Sequence, residues 1–148
     1  MVMCDYFSAT GDEEAVGVLD EPGGPDPAVF DVLPLKGIDP VVVMARLEAI
    51  VTGRDHDEAS ARPRSGELLS DPGHGSAFVV SVSDSLRRAL ASASDERLAE
   101  AAMSWADSEE LRDGPTSADD LLAALRLLAG LARRADRENR RLYCWWAL

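Results

Sequence analysis

The sequence predicts an α+β fold: a small mixed sheet of three to four short strands, the N- and C-terminal strands among them, packed with about five helices. Three observations carry this. Tyr143, Cys144, Trp145 and Trp146 gather two of the three tryptophans, one of two tyrosines and one of two cysteines into consecutive positions. Such side chains suit a pleated, half-buried surface, so the chain's last residues read as a built-in strand. Ala77 to Val82 has the same strand chemistry. Between the strands, apolar residues recur at three- and four-residue spacing behind oxygen-bearing caps, the pattern of amphipathic helices.

The elements follow in order. Met3 to Ser8 is a short strand, and Thr10 with Glu13 forms a capping box that opens a helix to about Leu19. Glu21 to Pro27 is a proline- and glycine-rich loop. Val29 to Leu35 is a second strand, which Pro34 confines to an edge. Asp39 caps the next helix, with Pro40 in its first position and Gly53 at its end. Its buried stripe is Val43, Met44, Leu47, Ile50 and Val51. Residues 54–76 read as irregular, and long irregular connections often carry function. Ser83 caps a helix to Leu90, and Ser94 starts another, on which Leu98, Ala101, Ala102 and Trp105 share a face. Gly114 and Pro115 break that helix off. Ser117 with Asp120 then opens the longest one, to about Asp136. The last strand runs from about Leu142 to Ala147. A chain of 148 residues fits one domain, residues 1–148, which buries roughly 70% of its unfolded surface without metal or disulfides.

Charge is distributed unevenly. The formal net charge is −12, and residues 1–35 carry eight acids and no base. The strongest cationic concentration is Arg133, Arg134, Arg137, Arg140 and Arg141, around the end of the longest helix, where cations offset the helix dipole. So negative a chain repels a phosphate backbone, which argues against nucleic-acid binding and allows a basic protein partner. No stretch has the roughly 18 to 20 consecutive apolar residues that span a bilayer, and the opening Met-Val-Met-Cys-Asp has no basic segment. The expectation is a cytoplasmic protein with no membrane association, in which Cys4 and Cys144 are free thiols packed close together as core.

Catalytic and cofactor motifs are missing: no P-loop, G-x-G-x-x-G, H-E-x-x-H or G-x-S-x-G is present. His56, between Asp55 and Asp57, reads as a solvated turn rather than a metal ligand. His74, two residues before Ser76, forms a His–Ser pair without an orienting carboxylate or an oxyanion device, which argues against catalysis. No cofactor, metal or catalytic residue is expected. The candidate binding residues are Arg62 and Arg64 in the irregular segment, His74, Arg140 and Arg141, and the Trp145–Trp146 pair, whose rings strand alternation sends to opposite faces.

The Met1-x-Met3-x-x-Tyr6-Phe7 strand, the Leu35-x-Gly37-Ile38-Asp39 helix entry and the Thr52-Gly53 close resemble the YfbM-like bacterial domain family of unknown function. So do the Phe78-Val79-Val80-Ser81 strand with its leucine-rich helix, and the long last helix leading to a terminal strand. The resemblance runs through the whole chain and implies a compact α+β cytoplasmic domain, with no activity or catalytic residue to carry over. The chain departs from that family in being shorter and in its Cys-Trp-Trp ending. The function expected is a non-catalytic binding or protein-interaction module, inhibitor- or immunity-like toward a basic partner. The second reading is a small-molecule-binding protein or weak enzyme using residues 54–76 and the aromatic strand.

Overall fold

A computed structural model describes residues 2–73 and 75–148. The elements are β1 (Met3–Ala9), α1 (Asp12–Val16) continuing into a 3-10 turn (Gly17–Asp20), β2 (Val32–Pro34), α2 (Val42–Thr52), α3 (His56–Ser60), β3 (Ala77–Ser81), α4 (Asp84–Ser92), α5 (Asp95–Ala106), α6 (Ala118–Arg137) and β4 (Arg141–Ala147). They form an α+β fold, as the sequence predicts, with one sheet in the order β2-β1-β4-β3. Every pairing in it is antiparallel. The aromatic β4 therefore lies inside the sheet, hydrogen-bonded on one side to β1 and on the other to β3.

The pleat splits β4 between two cores. Leu142 and Cys144 join Cys4, Tyr6 and the apolar stripes of α2, α4, α5 and α6, with Trp146 packed partly against them. Tyr143 and Trp145 join Phe7, Ala9, Val79, Ala15 and Val18 beneath α1 and the 3-10 turn. Both faces are covered, so the strand reads as an unbroken apolar run rather than an alternation. Cys4 and Cys144 are buried and free. Cys4 stands opposite Trp146 and Cys144 opposite Tyr6, so the thiols are diagonal neighbours on one face. Burial pushes the Cys144 thiol well up, and its hydrogen bond lowers that of Cys4.

Ser83, Ser94 and Ser117 each accept the backbone N–H three residues on and start α4, α5 and α6 as expected. Gly53 ends α2 in the left-handed region at φ 69°, where a side chain is disfavoured.

Three local expectations are corrected. The Thr10–Glu13 box does not form. β1 continues to Ala9, paired with Arg141, so the chain leaves the sheet one residue later and Gly11 becomes the uncapped N-cap. The Thr10 N–H is taken by Glu14 Oε1 at 3.0 Å instead. Second, α2 begins at Val42 rather than Pro40, although Asp39 Oδ1 still accepts from Val41 at 2.9 Å and Val42 at 2.7 Å. Third, residues 54–76 are more ordered than read. Asp55 caps α3, accepting from Glu58 N at 2.8 Å. Beyond it, Gly66, Glu67 and Leu69 hydrogen-bond to Val79 and Ser81, extending the β3 edge.

One buried polar side chain has no local signal in the sequence. Glu48, 1% exposed, sits in α2 with its carboxylate accepting from Ser83 Oγ and, at 2.6 Å, from Ser85 Oγ. A buried carboxylate needs such donors, and these clamp α2 to the start of α4.

Candidate functional site

The acidic N-terminal segment lies over the Tyr143–Trp145 face of the sheet as α1, the 3-10 turn and the loop to Phe30. Its placement depends on Gly24. At φ 85°, that residue lies flat on Trp145, and a Cβ there would stand 2.7 Å from the indole Cδ2 and Cε3. Only glycine lets the backbone come that close. The loop so anchored walls a cleft of about 790 Å³ lined by Val18, Phe30 and the loop's prolines, with Glu14, Glu21 and Asp26 at its edges.

The eight acids of this segment divide by partner. Asp12 is bound by Arg64 and Asp31 by Arg134. Asp5 is half-buried, and burial raises its carboxyl above the usual range. Glu13, Glu14, Asp20, Glu21 and Asp26 are exposed and, among the described residues, have no arginine or lysine partner. Three of these carboxylates, Glu14, Glu21 and Asp26, thus line one cleft, and Glu13 and Asp20 belong to the same segment. Their field extends about 10 Å at moderate salt.

A polar linkage fixes α1 to the sheet. Arg64 Nη2 and Nη1 grip Asp12 Oδ1 and Oδ2 at 2.8 and 3.1 Å, and Tyr143 donates its hydroxyl to Asp12 Oδ1 at 2.8 Å. The guanidinium carbon also lies 5.7 Å from the Tyr143 ring centroid. The Arg64 hydrogen bonds hold the Asp12 carboxyl below the usual carboxylate range. Burial, with the Asp12 hydrogen bond adding, pushes the Tyr143 phenol up to about 12. Tyr6 is also raised well above the ordinary phenol range, first by burial, and donates to Ile38 O at 2.6 Å.

These are the chain's two tyrosines, and their shifts have one sign. Folded pKa values above the unfolded value near 10 stabilise the fold below that pH. The contribution is lost as pH rises from about 10 through the folded values. Tyrosinate absorbance at 295 nm is therefore expected to stay flat through pH 10 and to rise together with loss of structure near pH 12. A titration midpoint near 10 with circular dichroism unchanged would contradict this.

The remaining sequence candidates scatter. Arg64, 15% exposed in its side chain, is committed to Asp12. Arg62 is half-buried with its Nε buried and unpaired. Trp145 is covered by Gly24. Trp146 lines an apolar hollow of about 550 Å³ with Val2, Cys4, Val41 and Val42, and none of the described residues of 54–76 borders it. Arg140 and Arg141 lie at the opposite end of β4, in a separate polar basin. Hence arginines and tryptophans do not share one pocket. His74 lies outside the described residues. His56 opens α3, half-buried, rather than sitting in a solvated turn. Among the described residues, no three His, Cys, Asp or Glu side chains are placed to hold a metal, and no helix is long and apolar enough to cross a membrane.

No protein-family model, curated protein or solved structure matches the chain.

Proposed function

We propose that this chain is a non-catalytic binding module of the cytoplasm whose acidic N-terminal surface engages a basic protein, as an inhibitor or immunity protein does. The observation that carries the reading is the set of five exposed carboxylates between Glu13 and Asp26 that, among the described residues, lack a cationic partner, three of which line a cleft with Val18, Val29, Phe30 and three prolines. Such a surface speeds encounter with a basic partner, while the apolar walls bury contact area once it has docked. The resemblance to the YfbM-like family rests on short strand and helix motifs along the chain, and supplies no activity to this proposal.

The test is a pull-down from the native cell. Wild-type protein is compared with a variant carrying Glu13→Gln, Glu14→Gln, Glu21→Gln and Asp26→Asn. All four side chains are exposed, so the variant keeps its fold. The proposal expects wild type to retain a protein of high isoelectric point that salt releases. Titration of that purified protein with the variant should show association slowed by about tenfold or more at low salt. Equal retention by both forms, or retention indifferent to salt, would overturn it.

The hollow at Trp146 favours a second reading, a small apolar ligand, because Val2, Cys4, Val41, Val42 and the indole give it a mostly apolar lining. Tryptophan emission unchanged across a panel of small apolar compounds would dismiss that alternative.

A further inference from the structure

The far end of β4 carries a different kind of concavity. α6 ends in a tight reversal: Asn139 adopts the left-handed region at φ 56°, and Arg140 N reaches back to Ala135 O at 2.8 Å. That reversal delivers Arg140 and Arg141 to the start of β4, where Arg141 pairs with Ala9. Arg87 and Arg88 from the first turns of α4 complete, with Thr10 and Asp84, a basin of about 340 Å³. Four guanidiniums thus converge in a chain whose net charge is −12.

Nearby acids take up only part of this donor set. Arg87 is hydrogen-bonded to Asp136. Asp84 lies 3.5 Å from Arg87 and 3.7 Å from Arg141, and Glu138 lies 3.5 Å from Arg140. These three contacts exceed ordinary charge-assisted hydrogen-bond lengths. Among the described residues, the side chains of Arg88, Arg140 and Arg141 make no hydrogen bond. The Arg87 Nε is buried and likewise unpartnered, as is Oδ1 of Asp84, the one carboxylate lining the basin, and the four guanidiniums outnumber it. Helix-dipole compensation accounts for arginines in the last turn of α6, but not for Arg87 and Arg88, which sit in α4.

We propose that this basin binds a phosphate group, free or as a monoester. Planar guanidiniums match the oxyanion's geometry, and several with unused donors in one small concavity form a ready receptor. The strongly negative remainder of the surface repels long polyanions, so the basin selects a small anion rather than a nucleic acid. This inference does not depend on the proposed acidic-surface interaction.

The test uses the full chain, with inorganic phosphate and phenyl phosphate as probes and sodium chloride matching ionic strength. At ten times the dissociation constant, the melting temperature is expected to rise by about 3–5 °C. An Arg140→Gln/Arg141→Gln variant should lose the shift, with affinity by calorimetry falling at least tenfold. Both side chains are partly exposed, at 30% and 47%, so this variant is expected to fold. An Arg126→Gln control, which removes only an exposed pair with Asp95, should keep the full shift. Tighter binding of phenyl phosphate would assign the site to an esterified ligand, and tighter binding of inorganic phosphate to the free ion. No shift in wild type, or the same shift in the double variant, would overturn the assignment.

Discussion

Deleting Tyr143 to Leu148 is expected to leave a chain without cooperative thermal unfolding or dispersed amide resonances. The lost segment includes most of β4, the strand that joins β1 to β3, so two rows of backbone donors and acceptors would be left unpaired. Both cores lose side chains together, because Tyr143, Cys144 and Trp145 are all buried on one face or the other. Each large aromatic side chain buries roughly 150–250 Å². At about 25 cal/mol per Å², the three rings then account for on the order of 10 kcal/mol. That is comparable to the whole stability of a typical domain, about 5–15 kcal/mol. A truncated protein melting sigmoidally within a few degrees of the full chain would contradict this account.

The second large effect is expected at Trp105. It is fully buried among α2, α5 and α6, and its indole donates to Val43 O at 3.1 Å. Trp105→Ala should cost about 3–5 kcal/mol, from lost burial and the cavity left behind. That corresponds to a fall in melting temperature of roughly 10 °C or more for a chain of this size. Trp105→Phe keeps a ring in the site and loses chiefly the hydrogen bond and part of the volume, so it should cost less than half as much. Equal losses in the two variants would mean that the hydrogen bond, not packing, holds α5 against α2. Chemical denaturation with tryptophan emission as the readout distinguishes the outcomes.

Features set by neighbouring residues were the legible ones. Ser83, Ser94 and Ser117 satisfy amides three residues on, so each helix start is written within one turn of sequence. The aromatic density of β4 marked it as built in, and Pro34 marked β2 as an edge. α3 escaped because its five residues are too short to show an apolar stripe, although Asp55 with Glu58 was a cap signal available to be read.

The candidate site was legible only as charge. That residues 1–35 are acidic is composition, whereas which acids remain free depends on pairings across the fold. Arg64 reaches Asp12 and Arg134 reaches Asp31 over separations of 52 and 103 residues, which no local pattern encodes. Strand alternation split Trp145 from Trp146, but only Gly24 reveals which ring is sealed. The arginine basin was half visible, because Arg140 and Arg141 stood out while their companions Arg87 and Arg88 come from another helix.

The strand order has a consequence for how the molecule is made. β1 is the first of the four strands to be synthesised and β4 the last, yet the two are hydrogen-bonded neighbours. Until β4 emerges, β1 and β3 cannot be joined into one sheet. The helices α4 and α5 each pack against α6 over short separations and can assemble meanwhile. Sheet closure then waits for a contact spanning more than a hundred residues, the kind of non-local step that slows folding. During that interval the emerging chain carries exposed strand edges, which places its period of greatest aggregation risk during synthesis.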